Sequence, residues 1–209
     1  MIEILYILFG WVLGLVSPII IQKIQSKRDQ KVFLSALKKE LNELILRVCM
    51  TGYILGQKYG CMDKEYLIYV QRIFEEYEGE ERVDNAKKVI SILIEADEEI
   101  FKSMLVKMRA QEGMALSLKT FPTYLLDSSS QQLANLPLSV QPDIYALKNA
   151  LHIFNEEISS AKEYFWKTFD SSVNDESHQV VLSELVLKYE LLQKMSVRVC
   201  QKIEPILKV

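Results

Sequence analysis

The chain has 209 residues, with 25 Lys and Arg against 28 Asp and Glu and a formal net charge of −3. That balance leaves no basic face for nucleic acid, so no nucleic-acid partner is expected. With only 7 Gly and 5 Pro and abundant Glu, Lys, Leu and Ile, the composition favours an all-α chain.

The first stretch, MIEILYILFGWVLGLVSPIII from Met1 to Ile21, carries one charge, Glu3. As a helix it covers about 30 Å, the hydrocarbon thickness of a bilayer. Its dozen or so Leu, Ile, Val and Phe residues supply on the order of −4 to −7 kcal/mol towards insertion. A cleaved signal peptide fits less well, because no basic residue precedes the apolar run and no A-x-A-like site follows it. A buried core helix is the alternative reading, and Trp11 at mid-span speaks for it. The expectation is a single transmembrane anchor over 1–21. Gly10 and Gly14, with Ser17 near the same face, form a GxxxG pair that lets two such helices approach closely. Pro18 is expected to kink the exit.

Lys23, Lys27, Arg28 and Lys31 follow the span, and nothing basic precedes it. The positive-inside rule then puts the N-terminus outside and residues 22–209 in the cytoplasm, at a cell inner membrane. The four cations would also meet anionic headgroups of the lipid bilayer. Cys49, Cys61 and Cys200 lack metal-type spacing and suit a reducing compartment, which agrees with that topology.

From Gln22 to about Lys58, Phe33, Leu37, Leu41, Leu44, Val48 and Leu55 recur at helical spacing. Gly52, Gly56 and Gly60 repeat every fourth residue, which points to close approach of another helix. Asp63 is a fitting N-cap for a short helix over about 64–78. The run Glu75, Glu76, Glu78, Glu80, Glu81 and Asp84 reads as a solvated junction, with a cation-binding surface as the sharper alternative. A helix over about 82–112 carries Val83, Ala86, Ile90, Leu93, Ile100, Met104 and Met108, with Asp97 at the edge of the seam or buried against a cation. Residues 114–141 hold Pro122, Pro137 and the serine run Ser128 to Ser130. They read as a long crossover over the bundle's end, with a short helix near 130–135, and as the first candidate to bind a partner. Pro142 opens a helix to about Asp170, seamed by Ile144, Leu147, Leu151, Phe154, Ile158, Ala161 and Phe165. The last helix, from about Asp175 to Glu204, carries Val181, Leu185, Tyr189, Leu192, Val199 and Ile203, and Pro205 closes it.

Four long helices, a short fifth and one crossover make a four-helix-type bundle the expected domain. A di-iron site would need Glu-x-x-His on two helices, and neither His152 nor His178 has it; His152 reads as a core-edge residue. Phosphate-loop, dinucleotide, zinc-protease and serine-hydrolase motifs are all missing, so no enzyme activity, cofactor or metal is expected. The leading expectation is a membrane-anchored cytoplasmic interaction or scaffold protein that binds a protein partner or itself. An oligomerising membrane-acting effector or toxin is the second reading, and a metal-binding bundle enzyme the third.

Overall fold

The computed structural model describes residues 2–59, 62–77, 83–111, 114–128, 133, 136–170 and 175–209, without the side chains of 2–8, 12, 175 and 176. Every element among them is an α-helix. The expected Gly60 and Gly113 stops, Cys61, half of the acidic run and, apart from Leu133, the helix near 130–135 lie outside the described residues.

Helix α1 (Ile2–Tyr59) runs unbroken through Pro18 for 58 residues, roughly 87 Å. Its two halves differ completely. From Phe9 to Asp29 every described side chain is exposed, and the first buried residue is Leu37. From there Leu41, Leu44, Val48 and Leu55 keep one face buried, as their spacing requires, and Leu46 and Tyr53 bury a second. The second face is needed because α1 packs against helices on more than one side.

Those neighbours are α7 (Asp175–Lys208), antiparallel to α1, and α2 (Lys64–Glu76), also antiparallel to it. The rings of Tyr59 and Tyr189 lie 4.5 Å apart at one end of the α1–α7 pair. Cys200 lies against Ile45 further along, its Sγ 3.7 Å from the Ile45 carbonyl. Between these points the glycines do what their spacing suggests. A Cβ on Gly52 would sit 2.0 Å from Ser196 Oγ, and one on Gly56 would sit 2.6 Å from Met62 Cγ. Helix α6 (Gln141–Lys167) lies antiparallel on the other side of α7, tied by Lys188 Nζ to Glu157 at 2.7 Å. Its seam residues Ile144, Leu147, Leu151, Phe154, Ile158 and Ala161 are all buried.

Asp63 caps α2 as expected, its Oδ1 accepting from Tyr66 N at 2.7 Å. The helix expected over 82–112 is two helices, α3 (Asp84–Glu95) and α4 (Glu98–Met108). The chain breaks at Ala96 and Asp97, and Asp97 is exposed at the α4 N-cap, neither on a seam nor buried. Lys64 reaches across from α2 and donates to the Ile94 carbonyl at 3.0 Å and to the Ala96 carbonyl, so a cation stands where the α3 dipole is negative. The break also shifts the buried face: Phe101 and Leu105 are buried, whereas Ile100 is 54% exposed. Among the described residues the domain thus has three long helices and a layer of shorter ones, and the stretch expected as a fourth long helix is divided in two.

The crossover lies along the bundle's flank, not over its end. Tyr189 Oη accepts from Leu116 N at 2.9 Å and donates to Leu116 O, and Asn155 brackets the Phe121 backbone at 2.8 and 3.0 Å. The chain then enters α5 (Tyr124–Ser128), where Glu40 accepts from Leu125 N at 3.1 Å. Each contact satisfies a backbone group that a loop would otherwise leave unpaired. Pro205 does not close α7, which continues to Lys208 with Ile206 fully buried. A proline this near the end forfeits a single ladder bond, and the packing of Ile206 offsets it.

Candidate anchor and interaction surfaces

The residues singled out by sequence fall on the free half of α1. A Cβ on Gly10 or Gly14 would meet nothing within 4 Å. Ser17, Lys23, Lys27, Arg28 and Lys31 are exposed. Around them stand Phe9, Trp11, Leu13, Leu15, Val16, Ile19, Ile20, Ile21 and Ile24, each 39–68% exposed. Among the described residues no helix is long and apolar enough to cross a membrane. The transmembrane span expected from composition is therefore not found there. The side chains of residues 1–8 and Val12, nine of the 21 in that stretch, stand outside that statement.

Where α1 leaves the bundle, α2 and α7 meet it around a polar knot. Arg72 Nη2 donates to both Glu204 oxygens at 3.0 Å, Tyr69 Oη donates to Glu204 Oε1 at 2.8 Å, and Arg72 Nη1 lies 3.6 Å from Glu76. Partial burial pushes the Glu204 carboxyl up. Hydrogen bonds from Arg72 and Tyr69, with the Arg72 and Lys208 charges, outweigh it and hold the group below its ordinary value. Burial, and after it the Leu116 backbone contact, set Tyr189, whose hydroxyl is pushed up to about 12. The knot escaped sequence reading because Glu204 lies 132 positions from Arg72 and 135 from Tyr69.

Deeper in, Cys49 and Cys200 are buried free thiols side by side, and burial pushes Cys200 well up. A thiol so held stays protonated and inert. The Tyr66 hydroxyl, beside Gly52, is buried near the Gln193 and Ser196 side chains but makes no hydrogen bond of good geometry among the described residues. His152 is not a core-edge residue: it is 71% exposed and pairs with Glu156 at 3.3 Å. Among the described residues no three His, Cys, Asp or Glu side chains converge in a metal-holding group. At the opposite end of the bundle Phe165, Trp166 and Phe169 form an aromatic cluster with centroids 5.1–6.1 Å apart, Trp166 and Phe169 being largely exposed.

No protein-family model, no curated protein and no solved structure matches this chain.

Proposed function

We propose that this protein is a membrane-anchored interaction module. Residues 2–21 of α1 insert in a bilayer, and Lys23, Lys27, Arg28 and Lys31 face anionic headgroups. The helical bundle is held on the cytoplasmic side, where it binds a protein partner or a second copy. The observation that carries this reading is the free half of α1, on which nine large apolar side chains are exposed among the described residues. Burying a large aliphatic or aromatic side chain is worth about 1.5–3 kcal/mol. Leaving nine in water forgoes on the order of 10 kcal/mol or more, and that drives the helix into lipid or against another helix.

The test is sedimentation of the expressed full chain with membranes after an alkaline carbonate wash. The chain is expected to stay with the membranes, and a variant lacking residues 2–21 to be released. Recovery of the full chain in the supernatant would reject the anchor.

A second reading, an oligomerising membrane-acting effector, draws on Gly10 and Gly14 standing open to a neighbour. It expects dye leakage from vesicles that Gly14→Leu abolishes. No leakage, or leakage unchanged by the substitution, would reject it.

A further inference from the structure

The geometry points to an anion site in the cleft at the base of the free helix, built by Lys38, Lys39 and Asn42 of α1 with Lys208 of α7, for a small phosphate-bearing anion. The cleft holds about 370 Å³ and is floored by Ile45, Ile73 and Leu207, a volume within the range of small-ligand sites. Two carboxylates line it, and both are already engaged. Glu204 accepts from Arg72 and Tyr69, and Glu76 pairs with Arg72. Lys38 and Lys39 have no ion-pair partner within 4.0 Å among the described residues, and Lys208 acts on Glu204 only through its charge, without a close pair. Three lysines thus line one concavity whose two carboxylates share the single Arg72 guanidinium, which leaves the cleft with a net positive balance. Two linked phosphates, at about −1.5 to −2 for a single one, bring the charge that three ammoniums offset. The Asn42 amide adds donors. The half-charge at the α7 C-terminus opposes an anion there and offsets part of the Lys208 charge.

The cleft is also the end of a longer feature. At about 100° per residue, Lys23, Lys27, Arg28, Lys31, Lys38 and Lys39 all fall within about 160° of the α1 surface. Asp29, Glu40 and Glu43 fall on the remaining side. The basic stripe of the free helix therefore leads into the cleft. This site lies in the bundle and stands whether or not the free helix enters a membrane.

The test is titration calorimetry on the full chain in neutral-lipid nanodiscs, with inorganic pyrophosphate as the probe. A second arm uses vesicles of phosphatidylcholine with or without phosphatidylinositol phosphate. The site expects binding that the Lys38→Ala/Lys208→Ala pair weakens by about tenfold or more, as loss of charge-assisted hydrogen bonds does. Neutralising Lys23, Lys27, Arg28 and Lys31 together should change it by less than about twofold, since those charges lie beyond a Debye length. Lys38→Arg should retain binding, which excludes a folding defect as the cause. Binding confined to the phosphoinositide vesicles, with the same dependence on Lys38 and Lys208, makes the anion a lipid headgroup. No binding in either arm would overturn the site. Loss that follows the four helix cations instead of the cleft pair would overturn it too.

Discussion

One helix carries the same motif twice with opposite outcomes. Gly10 and Gly14 frame Trp11, Val12 and Leu13; Gly52 and Gly56 frame Tyr53, Ile54 and Leu55. At the first pair the space a Cβ would take is empty, and at the second it is already held by Ser196 and Met62. Spacing alone says that a neighbour can come close; it does not say whether the neighbour belongs to the same chain. The surroundings do. Tyr53 and Leu55 have α2 and α7 to pack against, whereas every described side chain from Phe9 to Asp29 is exposed. The bundle half of α1 packs against its own chain, and the free half leaves its described side chains from Phe9 to Asp29 exposed.

The sharpest way to break that contrast is to fill both glycine pairs. Gly52→Val places carbon where Ser196 Oγ and Cβ already stand, on packed helices that cannot both retreat. It should destabilise the bundle by about 3 kcal/mol. Gly14→Val should leave bundle unfolding unchanged to within about 0.5 kcal/mol. Urea unfolding followed by circular dichroism in detergent measures both, and equal costs would mean that the free half is folded against the bundle after all.

A smaller effect tests the boundary between the halves, where Glu204 ties α7 to α2. Its pKa is lower folded than unfolded. Its contribution is therefore complete above the unfolded value of about 4.3 and disappears as pH falls through the lower folded value. Glu204→Gln should cost about 1 kcal/mol near pH 7 once partial exposure of Arg72 is discounted. The gap from the parent chain should close in acid, and a gap that persists at pH 2–3 would show that the carboxylate charge is not what matters.

The smallest effect lies beside the Gly52 contact. Tyr66→Phe removes a buried hydroxyl that makes no hydrogen bond of good geometry among the described residues. It should be neutral or stabilise by up to about 1 kcal/mol. A clear loss of stability in the same unfolding assay would mean that the hydroxyl is bonded in solution.

Helices that bury one continuous face were legible in advance. Leu37 to Leu55, Ile144 to Ala161 and Leu185 to Ile203 repeat at helical spacing and are buried where that spacing puts them. The α3–α4 break was not legible. No Gly or Pro marks Ala96 and Asp97, and the carbonyls freed there are held by Lys64, about thirty residues earlier. Without the break, Ile100 continues the seam; with it, Phe101 takes the buried place. The crossover's course was hidden for the same reason, since it depends on Asn155, Tyr189 and Glu40, side chains on three other helices. The free helix was read from composition, as an apolar run followed by cations. The basic cleft at its base could not be, because it exists only once α1, α2 and α7 are in register.

The chain's 2 tryptophans fall one in each region, Trp11 on the free helix and Trp166 at the far end of the bundle, both largely exposed. In lipid vesicles, the emission of Trp11 in a Trp166→Phe variant should shift to the blue and be quenched by nitroxide-labelled acyl chains. Trp166 in a Trp11→Phe variant should remain open to iodide in the aqueous phase. Iodide quenching of Trp11 with no response to the acyl-chain nitroxide would contradict the anchor.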